Sequence, residues 1–95
     1  MSTTEKMVYK EIVLYFVEEN PYFIQSIPTI HLTQDICNVA FKGDPRVIRF
    51  IPDKFVSREM CNLAFKYNSS LIEYIPDKFI TQEMCNTVIK NGKNI

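Results

Sequence analysis

The sequence predicts an all-α fold, a short solenoid of stacked αα-hairpins with a 24-residue period. Three observations carry that prediction. First, residues 51–66 (IPDKFVSREMCNLAFK) return 24 residues later as residues 75–90 (IPDKFITQEMCNTVIK), and a looser copy occupies residues 27–42. Self-similarity at a fixed period marks a repeat architecture, in which one supersecondary unit stacks on the next. Second, helix-capping residues and prolines recur at the same places in each copy. Third, only two glycines occur in 95 residues, so few positions need a left-handed backbone and a turn-rich β protein is disfavoured.

The first segment, residues 3–26, fits the same frame in degenerate form, with Asn20-Pro21 aligned to Asp44-Pro45 and Asn68-Ser69. The chain therefore reads as one helical-repeat domain over residues 1–95. Its units are 3–26, 27–50, 51–74 and an incomplete 75–95. The first helix has a capping box in Ser2 and Glu5 and runs to Glu19. Glu5, Lys6, Lys10, Glu11, Glu18 and Glu19 give it the polar outer surface expected of an end cap.

In the later units Thr33, Ser57 and Thr81 read as N-caps, with Asp35, Glu59 and Glu83 in the first turn where the helix dipole favours acids. The helix after Ser57 spreads Met60, Cys61, Leu63, Ala64, Phe65 and Tyr67 over an arc of roughly 200°. So wide an apolar arc implies packing on two sides. A short second helix begins at Asn20, Asp44 or Asn68, with Pro21 and Pro45 at the first helical position. It must stop before Pro28, Pro52 and Pro76, because a residue preceding proline is driven out of the α region. A linker then returns the chain to the next long helix, with His31 partly buried at the place of Phe55 and Phe79.

Composition excludes several function classes. Eleven basic and eleven acidic residues cancel, so no overall basic field gathers nucleic acid or anionic lipid. The longest apolar run, residues 12–17, is six residues long, well short of the roughly 20 that span a bilayer. The N-terminus interleaves acids with apolar residues and has no signal-peptide character, so an intracellular, cytoplasmic protein is expected. Cys37, Cys61 and Cys85 stand one per unit, too far apart in sequence for paired metal ligands; they read as small buried fillers. His31 is the only histidine, and no glycine-rich loop or nucleophile motif is present. The expectation is a non-enzyme with no cofactor and no metal.

A repeat aligns equivalent residues into columns, and two columns are candidates for partner binding. Asn38, Asn62 and Asn86 recur on an exposed helical face, although asparagine is a poor helix former. Lys42, Lys66 and Lys90 form a basic ridge, which Arg46, Arg49 and Arg58 could extend toward an acidic partner or phosphate. The favoured function is a protein–protein interaction module; the alternative is a nucleic-acid or phosphate binder using the lysine column. The last unit has no second helix, so Ile80, Met84, Thr87, Val88 and Ile89 are expected to present an open face that pairs two copies, with Gly92 ending the helix.

The register of a short helix ending in an aromatic-Ile-Pro turn, a Ser/Thr cap and then E-M-C-N-x-A-F-K resembles a known repeat. It is similar to the short helical repeats of unknown function abundant in giant viruses of amoebae, which occur also in some bacteria and protists. The likeness covers residues 27–91 and, loosely, 3–26. It implies a viral or microbial source, an interaction role and no catalytic residues. A viral origin would place the protein in the host cytoplasm or in the virion.

Overall fold

A computed structural model describes the backbone of residues 3–91 and the side chains of residues 10–91. The capping box, the outer-surface residues Glu5 and Lys6, and Gly92 with the tail after it lie, wholly or in their side chains, outside these described residues. Four α-helices alternate with 3₁₀ segments, and no strand occurs among the described residues. The α-helices are α1 (Thr3–Glu19), α2 (Gln34–Gly43), α3 (Arg58–Tyr67) and α4 (Gln82–Asn91).

The caps explain why these elements begin where they do. The hydroxyls of Thr33, Ser57 and Thr81 accept from the backbone N–H groups of Ile36, Met60 and Met84 at 3.2, 3.1 and 3.1 Å. Asn20, Asp44 and Asn68 each serve two elements at once. Their own N–H groups donate to the carbonyls of Phe16, Ala40 and Ala64, closing the preceding α-helix. Their side chains accept from Tyr22, Arg46 and Ser70, opening the segment that follows. One residue thus replaces a loop, which keeps the period short.

That following segment is a 3₁₀ helix, at Pro21–Ser26, Pro45–Phe50 and Ser69–Tyr74, where the sequence suggested only a short helix. Ile27, Ile51 and Ile75, each ahead of a proline, are extended. Only six residues remain between cap and stop, and tighter i→i+3 closure satisfies more backbone groups in so short a span. The linker also carries a turn of 3₁₀ helix, at Thr29–His31, Asp53–Phe55 and Asp77–Phe79. Nothing in the proline-led sequence had suggested it.

One core runs through the described residues. Val17, Ile24, Cys37, Ala40, Val47, Ile48, Cys61 and Ala64 are almost completely buried. The molecule measures 55 × 24 × 18 Å along its principal axes. The long 3₁₀ segments bridge successive helices: Pro21–Ser26 packs on α1 and α2, Pro45–Phe50 on α2 and α3, and Ser69–Tyr74 on α3 and α4. Of the consecutive α-helix pairs, α1 and α2 also pack closely backbone to backbone, while the other two pairs stand further apart.

Gly43 accounts for the close pair. A Cβ built there would sit 2.6 Å from Cγ of Pro21, so only glycine allows the end of α2 to approach that ring. The register equivalents of Gly43, 24 residues apart, are Tyr67 and Asn91.

Four expectations are corrected. α3 packs on the 3₁₀ segments to either side of it through Met60, Cys61 and Ala64, with Phe65 half-buried, but Leu63 and Tyr67, exposed at 50% and 56%, take no part in that packing. His31 is exposed, since its polar ring gains from water what the half-buried Phe55 and Phe79 lose. Lys10 turns toward α2 and pairs with Asp35 at 3.2 Å. The outer surface of α1 is mixed rather than polar: Glu11, Glu18 and Glu19 are exposed as expected, and Ile12, Tyr15 and Phe16 stand beside them, each about half-exposed.

Candidate protein-binding groove

Separation of α2 from α3 opens a groove of about 720 Å³ between them. Asn38, Phe41, Lys42 and Pro45 form its leading wall, and Ser57, Glu59, Met60, Leu63, Lys66 and Tyr67 its following wall. Phe41 and Met60 are buried and make a floor, while Leu63 and Tyr67 stand exposed above it. The wall positions follow from local structure: Ser57 fixes where α3 starts, and the helical repeat then puts Leu63 and Tyr67 one turn apart on the same side.

The same groove recurs between α3 and α4 with changed chemistry. Asn62, Phe65, Lys66 and Ser69 face Thr81, Glu83, Met84, Thr87 and Asn91 there. Each is the 24-residue equivalent of a residue in the first groove, but Pro45, Leu63 and Tyr67 have become Ser69, Thr87 and Asn91. The Thr87 hydroxyl is already engaged, donating to the Glu83 carbonyl at 2.9 Å. Both grooves are mostly apolar with charged residues at the edge; Phe65, Met84 and the shared Tyr67 line the second, where Ser69, Thr87 and Asn91 add polar groups.

The asparagine column divides. Asn38 accepts from Gln34 Nε2 at 2.9 Å, and that amide also donates to the Phe55 carbonyl at 3.0 Å, tying α2 to the turn before α3. Asn86 accepts from Gln82 in the same way, at 2.9 Å. These are i, i+4 bonds along a helix surface, which account for the recurrence without a ligand. In the intervening unit Arg58 replaces the glutamine, and its guanidinium lies 5.4 Å from the centroid of Phe79. Asn38 and Asn62 border grooves; Asn86 borders neither.

The lysine column divides as well. Lys42 and Lys66 face each other across the first groove, and Lys66 also borders the second, whereas Lys90 lines neither. The arginines do not extend the ridge. Arg46 is bound to Asp44 at 2.8 Å and lies over Tyr22, and Arg49 lies over Phe50 and Tyr74. Hydrogen bonding to Arg46 lowers the Asp44 pKa and raises that of Arg46.

Among the described residues no group of three His, Cys, Asp or Glu side chains could hold a metal ion. Burial raises the Cys37 thiol from 9.0 to about 11 and also raises Cys61, so neither is a ready nucleophile.

The open C-terminal face expected from Ile80, Met84, Thr87, Val88 and Ile89 is mostly covered. Met84 is buried, Ile80, Thr87 and Val88 are half-buried, and only Ile89 stands out, 69% exposed. Met84 and Val88 are register equivalents of Met60 and Ala64, which the preceding unit covers. Ile89 is the equivalent of Phe41 and Phe65, which face the following unit.

Sequence reasoning missed Leu63 and Tyr67 as groove residues. A signal was present: position 63 is Val39 and Thr87 in the other copies, and position 67 is Gly43 and Asn91, while their buried neighbours repeat. No helix among the described residues is long and apolar enough to cross a membrane. Comparison with protein families, curated proteins and solved structures finds no match for this chain.

Proposed function

We propose that the chain is a short helical solenoid acting as a non-enzymatic protein-interaction module, with the α2–α3 groove as its binding site. The observation that carries this reading is the pair Leu63 and Tyr67, both half-exposed above the buried floor of Phe41 and Met60. Apolar side chains gathered in a concave site, with polar groups at the rim, are what a binding groove needs. Lys42 and Lys66 on opposite rims favour a segment whose apolar anchors are flanked by acids.

The lysines also suit a nucleic-acid backbone, but Glu59 stands in the same groove and the net charge is zero. Peptide display against the purified chain tests the reading. Selected peptides should carry bulky apolar residues beside Asp or Glu, and Leu63→Glu should weaken their binding at least tenfold. Equal binding to Leu63→Glu would remove the groove from consideration. Single-stranded DNA binding that weakens steeply from 50 to 200 mM salt would replace the protein reading with the phosphate one.

A further inference from the structure

We infer that the groove's partner segment is α1 of a second copy of this chain, an inference that rests on the groove reading above. Among the described residues, where Ile30 and Ile89 stand out singly, two apolar features gather several side chains, and their shapes and charges match. One is the groove, concave and mostly apolar, bordered by Lys42 and Lys66 with Glu59 as the one acid among its lining residues. The other is the outer stripe of α1, convex and apolar, carried by Ile12, Tyr15 and Phe16 at 48, 58 and 47% exposure.

Ile12, Tyr15, Phe16 and Glu19 fall at i, i+3, i+4 and i+7, the spacing of a helix that seats one face in a groove. Glu11 and Glu19 lie one turn before and one turn after Tyr15, so acids flank the apolar centre along the helix axis. Both are exposed, as are the two lysines.

A simple continuation of the repeat fits this stripe less well. Ile12, Tyr15 and Phe16 are equivalent to Ile36, Val39 and Ala40, the face on which a preceding unit packs. Ala40 and Ala64 are completely buried there, and Phe16 occupies their place with a ring that close internal packing has no room for. The stripe is shaped for a wider recess, and the α2–α3 groove is one.

The test is complementation between two variants, Phe16→Glu and Leu63→Glu, followed by sedimentation velocity at 10–200 μM, a range of the order used for weak contacts. Wild-type chain should self-associate, and each variant alone should weaken that association at least tenfold. An equimolar mixture should associate again, because Phe16→Glu keeps an intact groove and Leu63→Glu an intact α1 stripe. Far-UV circular dichroism checks that both variants fold; if either does not, alanine at the same position takes its place.

A wild-type chain that stays monomeric overturns the inference. So does self-association lost in Phe16→Glu but kept in Leu63→Glu, which would mean that α1 pairs with α1. Neither result touches the groove reading if display-selected peptides still bind wild type and fail on Leu63→Glu.

Discussion

Gly43→Ala should destabilise this protein even though it replaces glycine by the best helix former. The added Cβ would meet Pro21 Cγ at 2.6 Å, about 1 Å inside ordinary carbon–carbon contact. The obstacle is a pyrrolidine ring at the first position of a 3₁₀ segment, which cannot swing aside as a long side chain would. Relief requires α2 to move from α1, and overpacking of this kind costs about 1–3 kcal/mol. Alanine gains up to about 1 kcal/mol over glycine in a helix interior, and less at Gly43, the last helical residue. The net loss is about 1–2 kcal/mol, a fall in Tm of roughly 5–15 °C for a chain of this size.

Thermal unfolding followed at 222 nm measures that shift. The cause is isolated by Pro21→Ala, which removes Cγ but keeps Cβ, itself 3.5 Å from the added atom and in ordinary contact. The double variant should be less destabilised than the sum of the two single variants, with a favourable coupling of about 1 kcal/mol. A Tm that rises in Gly43→Ala, or strictly additive variants, would refute the claim that this approach sets the α1–α2 distance.

Two further outcomes follow from the core. Ile48→Ala, at a position only 1% exposed, should cost about 3–4 kcal/mol in urea denaturation, whereas the half-buried Phe65→Ala should cost about 2 kcal/mol; the reverse order would misplace the core. Cys85, half-buried, should react with a thiol reagent before the buried Cys37 and Cys61. Burial raises the folded Cys37 pKa from 9.0 to about 11, so its stabilising contribution is complete below pH 9 and lost as pH rises toward 11. Wild type should therefore lose stability against Cys37→Ala in that window, by on the order of 1 kcal/mol per pH unit; parallel curves would contradict it.

Local chemistry made much of the fold legible in the sequence. Thr33, Ser57 and Thr81, like Asn20, Asp44 and Asn68, act through their own side chains on the next few backbone groups, and a local cause leaves a local trace. Features that depend on distance between elements left none. Gly43 reads as a dispensable residue near a helix end until Pro21, 22 residues away, is placed beside it. Leu63 and Tyr67 belong to an apolar arc whether a helix or open space faces them. In α1 the run from Ile12 to Val17 is apolar all round, so periodicity could not show that Val13 and Val17 face the core and Ile12, Tyr15 and Phe16 face out.

The grooves arise from variation between copies that are otherwise alike. At the first junction glycine meets Pro21, and α2 closes against α1. At the second, Tyr67 stands where Gly43 stood and Pro45 where Pro21 stood. A tyrosine cannot make the same approach, so α3 stays off α2 and its ring becomes part of the groove wall. At the third junction the pair is Asn91 and Ser69, and an equivalent groove keeps Phe65 and Met84 while gaining those polar groups. The buried positions repeat because each junction needs the same small or aliphatic filler, as Cys37 and Cys61 or Ala40 and Ala64 do. Positions released from that requirement are the ones able to differ, and in this chain they make one junction closed and two open, with Leu63 and Tyr67 on the wall of one and Thr87 and Asn91 at the same places in the other. The groove walls thus differ at residues that break the repeat, while the residues that define it hold the grooves at their spacing.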